Sequence, residues 1–221
     1  MDSFRLQKIY LEAGRLFDAK GYANTKMAEI AKASGIAVGT MYSMFTGKDA
    51  VLTFVIRAAL DKEYLSGEIL LPVKPVETPV LTELLRKVAE DGFAQVLDIT
   101  DKNGELCKDF CSLMNGLFDL FADYLLAFGN IEKNTEALEE LNEVYSCQKT
   151  AYFEKLKENL KLYMEAGQIR SLSHMSAHVL FLTNTLTWWA LNANLSFPGE
   201  PIPGNAAREI CIGIINRAYQ V

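Results

Sequence analysis

The stretch from Asn24 to Leu52, NTKMAEIAKASGIAVGTMYSMFTGKDAVL, constrains the fold of this 221-residue chain more than any other part of it. It predicts a short helix from about Lys26 to Ser34, a turn at Gly35, and a second short helix from about Val38 to Phe45. Glycine suits the turn because it adopts the left-handed backbone that other residues avoid. Two short helices joined by a tight turn are the arrangement that places a second helix in the major groove of DNA.

The rest of the sequence predicts an all-α protein, because helical periodicity runs through nearly every segment and no segment shows sustained strand alternation. LPVKPVETP, at residues 71–79, contains three prolines and is expected to be a turn between helices. Further breaks are expected at Gly129–Asn130, at Gly167 and at Pro198–Gly204. The remaining predicted helices span residues 3–20, 48–67, 80–99, 104–128 with a break near Gly116, 135–165, 173–194 and 205–219.

Charge is distributed unevenly along the chain. The whole sequence has a net charge of −6, which alone argues against a nucleic-acid partner. Residues 1–58, however, carry a net charge of +3, and the remainder carries −9. A basic segment on an acidic body is the asymmetry expected when one part of a protein meets phosphate. The pattern supports a DNA-binding role for the first quarter of the chain, with chance segregation of charge as the alternative.

The second short helix supplies the candidate DNA contacts. Gly39 lacks a side chain, so the helix can approach DNA closely, and Val38 can touch a thymine methyl group. Hydroxyl groups on the same helix can reach base edges or phosphates, and Lys48, at the start of the next helix, can bind a phosphate together with free helix N–H groups. The predicted DNA-binding residues are Thr25, Lys26, Met27, Val38, Gly39, Thr40, Tyr42, Ser43 and Lys48.

The segment FDAKGYANTKMAEIAKASGIAVGTMYSMFTGKDAVL resembles the N-terminal signature of the TetR family of transcriptional regulators. Glycine, tyrosine, phenylalanine and lysine recur at the family's fixed offsets, and the preceding RLQKIYLEAGRLF fits its first helix. The matching residues are Phe17, Gly21, Tyr22, Thr25, Ile30, Ala31, Gly35, Ile36, Gly39, Thr40, Tyr42, Phe45, Lys48 and Leu52.

Three residues depart from the family's pattern. Lys26 stands where the family commonly has serine or threonine, and Ser43 stands where an aromatic residue or histidine is frequent. Ala37 replaces a small hydroxyl residue and cannot cap the second helix with its side chain, a loss on the order of 1 kcal/mol. These departures affect which bases are contacted rather than the identity of the module.

The resemblance implies a complete architecture and function. Residues 1–47 would form a three-helix DNA-binding domain, and residues 48–221 a larger helical domain for effector binding and dimerisation, beginning with a connecting helix. The protein would be a one-component repressor that binds palindromic, double-stranded operator DNA as a homodimer. Independently of the resemblance, four cysteines without CxxC spacing predict a reducing, cytoplasmic environment. A small apolar or aromatic effector would release it, and the last two helices would form the four-helix bundle between subunits.

The C-terminal region supplies candidates for the effector site. Aromatic and methionine side chains suit an apolar or flat ligand. Polar groups inside apolar helix faces also mark pockets, since a buried amide or indole N–H needs a partner. The predicted effector-binding residues are Phe110, Met114, Asn115, Phe118, Gln148, Tyr152, Asn184 and Trp188. Each of them can equally belong to an ordinary helical core.

Catalytic and metal chemistry has little support in the sequence, so no enzyme activity, cofactor or metal is predicted. His174 and His178 have a spacing that can hold zinc, but no third ligand lies nearby in sequence. Cys107 and Cys111 also lie four residues apart and are read as small buried hydrophobes. No signal peptide is expected, and the longest apolar region, residues 179–191, is too short to span a membrane.

Two other functions stay open at the level of the sequence. A helical ligand-binding or scaffold protein with a degenerate DNA-binding head is the first, supported by Ala37 and by the modest charge of residues 1–58. An enzyme built on the helical body is the second, supported only by the histidine and cysteine pairs.

Overall fold

The computed structural model describes residues 2–192, 196–197, 200–201 and 204–221. Within them the chain is predominantly helical, which confirms the predicted fold class. Two-residue strands β1 (Ser196–Phe197) and β2 (Glu200–Pro201) pair antiparallel. The helices are α1 (Asp2–Lys20), α2 (Met27–Ser34), α3 (Val38–Met44), α4 (Lys48–Leu60), α5 (Thr78–Lys87), a π-helical segment (Val88–Ala94), α6 (Gln95–Leu97), α7 (Phe110–Lys133), α8 (Glu139–Glu165), α9 (Met175–Asn192) and α10 (Gly204–Tyr219), with 3₁₀ turns at Tyr64–Ser66 and Thr135–Ala137.

Two helix boundaries predicted from hydrophobic periodicity were wrong, because local hydrogen bonds set the ends of these helices. The helix expected from Gly104 begins only at Phe110. Before it, the Asp101 carboxylate accepts hydrogen bonds from the backbone N–H groups of Asn103 and Glu105, at 2.8 and 2.9 Å, and holds a turn. The helix expected to reach residue 67 ends at Leu60 and gives way to a 3₁₀ turn.

Two predicted breaks in α7 were also wrong. The helix passes through Gly116, which sits against the stiff side chain of Val96 and so serves close packing. It also passes through Gly129 and Asn130 and ends at Lys133. The predicted end at Asn194 of the helix that corresponds to α9 lies outside the described residues, as do residues 198–199 and 202–203 of the predicted loop.

The chain divides into two compact units. Unit 1 comprises Met1–Val88 and Leu126–Ser146, and unit 2 comprises Ala89–Leu125 and Cys147–Val221. Helices α7 and α8 each contribute one end to either unit. The predicted boundary between residues 47 and 48 lies inside unit 1, so the division into functional domains stays a prediction.

Unit 1 encloses a small core under the N-terminal helices. Helix α1 contacts both α2 and α4, and α2 contacts α3. Phe17, Ile30 and Met41, one from each of the first three helices, are completely buried. Phe45, just after α3, packs edge-on against Phe54 of α4 with ring centroids 5.1 Å apart. These contacts fix the orientation of α3 against the rest of the unit.

Unit 2 has a core built from one apolar side of each of its long helices. The buried residues include Leu113 and Leu117 of α7, Leu156 of α8, Leu182 of α9 and Ile215 of α10. Helix α7 is long and apolar enough, by length and composition, to cross a membrane. Six of its apolar residues between Phe110 and Phe121 lie in this core, which accounts for that composition in a core helix.

Candidate DNA-binding surface and effector groove

The turn between α2 and α3 has the geometry that the sequence predicts. Gly35 takes a φ of 68°, in the left-handed region that favours glycine. The N–H of Ile36 then donates to the carbonyl of Ala31 at 3.0 Å, which closes the end of α2. Ala37 precedes α3 and makes no side-chain capping bond. The helix-turn-helix is therefore built as expected, with the expected uncapped start of α3.

Most of the predicted contact residues of α3 share its solvent-facing side. Val38 and Tyr42 are 42% and 57% exposed, and Gly39 and Ser43 are exposed as well. A Cβ added at Gly39 would meet no atom within 4 Å, so packing inside the protein does not require glycine there. Thr40 is half-buried, and its carbonyl accepts a hydrogen bond from the Ser43 hydroxyl at 2.8 Å.

Two predicted contact residues at the start of α2 face the interior. Thr25 is 1% exposed, and its hydroxyl donates to the carbonyl of Gly21 at 2.8 Å. Met27 is 7% exposed and belongs to the core of unit 1. These two residues support the helix-turn-helix from inside. Their direct contact with DNA stays a prediction, which the burial of both side chains does not favour.

Lys26 is exposed just before α2, and Glu29 satisfies its backbone N–H. The Glu29 carboxylate accepts the backbone N–H of Lys26 at 3.0 Å and also pairs with the Lys20 ammonium at 2.8 Å. The hydrogen bond from Lys20, followed by the one from Lys26, lowers the pKa of Glu29. The Lys26 ammonium thus stands beside the start of α2, where the helix dipole also favours a phosphate.

Lys48 joins the start of α4 to the segment that precedes α2. Its ammonium donates to the carbonyls of Tyr22 and Thr25, at 2.7 and 3.0 Å, and lies 4.1 Å from the centroid of the Tyr22 ring. Burial and a hydrogen bond to the Asp49 carboxylate raise the pKa of Tyr22 to about 12. A lysine ammonium has three N–H donors, so one is left for a phosphate.

The C-terminal end of α7 is fastened to α1 and to the turn after it. The Asn130 side-chain amide donates to the carbonyl of Gly14 at 3.2 Å, and the Asn134 carboxamide oxygen accepts the backbone N–H of Tyr22. Asn130 and Asn134 are 0% and 4% exposed. Sequence reasoning missed these contacts, although two asparagines four residues apart in an apolar helix are a detectable signal.

A groove of about 560 Å³ opens inside unit 2, within the size range of small-molecule sites. One wall is the stretch that includes the π-helical segment and α6, and the other is one face of α8. Its lining residues are Ala89, Glu90, Phe93, Ala94, Gln95, Leu97, Asp98, Gln148, Ala151, Tyr152 and Lys155.

Two of the eight predicted effector residues, Gln148 and Tyr152, line this groove. Tyr152 is buried and its hydroxyl lies 3.0 Å from that of Thr183, while burial raises its pKa. The ring of Phe93 packs against the Tyr152 ring at right angles, with centroids 5.6 Å apart. Sequence reasoning missed the wall at residues 89–98 because a π-helical turn leaves no mark in helical periodicity.

The other six predicted effector residues do not line the groove. Phe110, Met114 and Phe118 are buried in the core of unit 2. The amide of Asn115 donates to the carbonyl of Cys111, one turn earlier in the same helix, at 2.8 Å. Asn184 and Trp188 are exposed on α9.

The last two helices present an apolar surface to solvent. Helices α9 and α10 pack against each other, and α9 contains no aspartate, glutamate, lysine or arginine. The exposed hydrophobic side chains, each 46–56% accessible, are Leu180, Phe181, Trp188 and Leu191 of α9 and Ile210 and Ile214 of α10. Exposed hydrophobic side chains gathered on two packed helices indicate an interaction surface.

The histidine pair, His174 and His178, and the cysteine pair, Cys107 and Cys111, are the remaining candidates for metal or redox chemistry. The Nδ1 atom of His178 lies 2.8 Å from the hydroxyl of Tyr219. Cys107 and Cys111 are free thiols, and the prediction that both are buried was wrong: Cys107 is exposed, and Cys111 is half-buried, where its sulfur accepts a hydrogen bond from the Asn216 amide at 3.0 Å. Among the described residues no group of three or more histidine, cysteine, aspartate or glutamate side chains is placed to hold a metal ion.

Comparison with known proteins gives one family match and many similar folds. A model of "Bacterial regulatory proteins, tetR family" matches residues 9–53. No curated protein matches the chain.

Several solved structures resemble the chain over nearly its full length. The ketosteroid transcriptional regulator KstR2 of Mycobacterium tuberculosis is 14% identical with a TM-score of 0.56, over 98% of this chain and 95% of that one. The probable transcriptional regulatory protein RHA5900 is 16% identical with a TM-score of 0.61, over 96% and 97%. AibR in complex with isovaleryl coenzyme A and operator DNA is 18% identical with a TM-score of 0.51, over 95% and 97%.

At these identities the likeness establishes the shared fold, while the family match identifies the N-terminal module. Residues 9–53 are thus a helix-turn-helix domain of the TetR family of transcriptional regulators, carried on a chain with the fold of such regulators.

Proposed function

We propose that the protein is a ligand-responsive transcriptional repressor that binds a palindromic operator as a homodimer. The observation that carries this proposal is the solvent-facing side of α3, where Val38, Gly39, Tyr42 and Ser43 are exposed together. Glycine at position 39 lowers helix stability and has no packing role inside the protein, so close approach of DNA is a reason for it.

The exposed apolar faces of α9 and α10 support the dimeric form. Each helix presents hydrophobic side chains to solvent, and the exposed face of α9 carries no charged group. Pairing of two such faces around a two-fold axis would bury them in a four-helix bundle. A symmetric dimer then presents two copies of α3 to successive major grooves on one side of the operator.

The groove in unit 2 is the proposed effector site. It combines apolar walls with a few polar groups, which is typical of small-molecule sites. Regulation requires only linkage: the effector must bind the DNA-released conformation better than the DNA-bound one, and operator DNA then weakens effector binding by the same factor.

Helix α7 is the proposed link between effector and DNA. Its first part, to Leu125, belongs to unit 2, and its last part belongs to unit 1, where Asn130 and Asn134 bond to α1 and to Tyr22. Tyr22 in turn contacts Lys48 at the start of α4. A shift of α7 would therefore reach both α1 and α4, which makes α4 the last step of this route.

The proposal is tested by electrophoretic and anisotropy titrations with DNA flanking the protein's own gene. A repressor of this kind binds a specific segment tightly and loses affinity steeply with salt, because phosphate contacts release counterions. A degenerate head, which the uncapped Ala37 favours, would bind all DNA weakly and alike. Transcription with purified polymerase on the bound promoter then separates repression from activation.

A further inference from the structure

The groove of unit 2 has walls that suit the hydrocarbon part of a ligand. Phe93, Leu97 and Tyr152 supply apolar surface, and Ala89, Ala94 and Ala151 leave space between them. The Phe93 and Tyr152 rings meet at an interplanar angle of 79°, which brings two π-systems to one place in the groove. Aromatic faces are electron-rich and attract ammonium groups more than they attract carboxylates.

The charged side chains of the groove favour a cation. Glu90 and Asp98 line it, and neither forms an ion pair within 4.0 Å anywhere in the part of the chain that the structure describes. Lys155 is the one basic residue among the lining residues, and its ammonium lies 4.0 Å from the carboxylate of Glu158. The groove therefore offers two unpaired negative charges and one positive charge that already has a partner.

The unit that surrounds the groove is also negatively charged. Unit 2 as a whole carries a net charge of −4. A polyanionic ligand, such as a thioester bearing phosphates, would bring several negative charges against this background at a cost in affinity. An amine or quaternary ammonium gains both from the carboxylates and from the aromatic rings.

From these three observations we infer that the groove binds an amphipathic cation: a ligand with an apolar body and a protonated amine or quaternary ammonium head. The inference rests on the proposed effector role of the groove and names its ligand class. The cationic head lies toward Glu90 and Asp98 and against the packed rings of Phe93 and Tyr152, and the apolar body lies along Leu97 and the alanine side chains of the groove.

Calorimetric titration of the full-length protein with three probes of equal chain length tests this class. The probes are decyltrimethylammonium, 1-decanol and decanoate, each used below its micelle concentration in low-salt buffer. We expect decyltrimethylammonium to bind about tenfold more tightly than decanol, and decanol to bind more tightly than decanoate. Equal or tighter binding of decanoate, or no binding of any probe, would overturn the inference.

Variants of the groove residues test whether the preference for the ammonium probe arises in the groove. The double variant Glu90→Gln with Asp98→Asn should lose the preference for the ammonium probe while keeping affinity for decanol. Phe93→Leu keeps the apolar volume and removes one ring, so it should lower ammonium binding more than decanol binding. Glu154→Gln is the control, because Glu154 lies on α8, outside the groove, and pairs with Lys157. Unchanged selectivity in the double variant would contradict the assignment.

DNA binding is measured separately, without any probe, so that the two proposals fail independently. Selective DNA binding together with tight binding of decanoate would leave the regulator in place and refute the ligand class. Selective binding of the ammonium probe in a protein that binds all DNA weakly would refute the regulator and leave the ligand class in place.

Discussion

At the residue scale, Gly39 separates the demands of folding from those of DNA binding. A methyl group at this position would point into open space, so Gly39→Ala should raise the free energy of unfolding by about 0.5–1 kcal/mol, through higher helix propensity. The same methyl group would stand between α3 and the floor of the DNA major groove, so operator affinity should fall about tenfold or more. Thermal unfolding and operator titration of one variant check both outcomes.

A Gly39→Ala variant that is more stable and binds the operator as tightly as the parent would show that α3 does not approach DNA through this face. The increase in stability also guards against the trivial explanation that affinity is lost through unfolding.

Lys48 and Lys26 are a matched pair of lysines: Lys48 bonds to carbonyls within the protein, whereas the side chain of Lys26 is exposed. Lys48→Met keeps most of the length of the side chain but leaves the carbonyls of Tyr22 and Thr25 without the ammonium that donates to them. It should therefore lower the free energy of unfolding by about 1–3 kcal/mol. Lys26→Met should change it by less than about 0.5 kcal/mol, because the side chain is exposed.

Both lysine variants should also weaken binding to all DNA sequences alike and reduce the salt slope by about one. Chemical denaturation and salt-dependent titration measure the two effects. A salt slope unaffected by Lys26→Met would remove that residue from the phosphate contacts.

The sequence predicted residues well wherever a residue type has one dominant use. Gly35 had to allow a left-handed turn, and Val38 and Tyr42 had to lie on the outer face once the helix register was known. Thr25 could not be placed this way, because its hydroxyl satisfies a backbone carbonyl as readily as it binds a phosphate. Gln148 and Tyr152 were found in the groove, while Phe110 looked the same in sequence and is core.

At the element scale, α7 should transmit effector binding through its asparagines. Asn134→Leu removes the acceptor for the Tyr22 N–H in a buried place, and it should cost about 1–3 kcal/mol of unfolding free energy. The protein should still bind operator and groove ligand separately, but each should weaken the other by a smaller factor. Titrations of operator at zero and saturating ligand measure this coupling.

Asn142→Ala is the matched control for that coupling. The side chain of Asn142 also bonds to the backbone, but it donates to the carbonyl of Ile131 of α7, at 3.2 Å, whereas Asn134 accepts the N–H of Tyr22 in the turn before α2. Equal coupling in the Asn134→Leu variant and in the wild type would mean that the signal takes another route.

Helix boundaries show why elements were only partly predictable. Periodicity located every long helix, because a buried apolar face repeats along it. It could not show that Asp101 holds a turn before α7, or that the chain widens into a π-helix at Val88–Ala94, since both depend on hydrogen bonds rather than on hydrophobic pattern. The missed wall of the groove is a direct result of the second of these features.

At the scale of the whole molecule, the dimer should depend on the exposed apolar face of α9 and α10. Trp188→Asp combined with Ile214→Asp places two charges on that face, and the protein should become monomeric in analytical ultracentrifugation. Operator affinity should fall by orders of magnitude, because one head alone contacts one half-site. Leu70→Asp is the control, since Leu70 is 81% exposed and lies in unit 1.

The measurement that tests the central claim most directly is the salt dependence of binding to DNA flanking the protein's own gene. A dimer with two heads should select one segment and show a logarithmic slope on the order of −5 or steeper, since each phosphate contact contributes about −0.9. The Lys26→Met variant should flatten that slope. Weak binding that is equal for the flanking DNA and for random DNA, with no difference between wild type and variant, would contradict the assignment as a DNA-binding regulator.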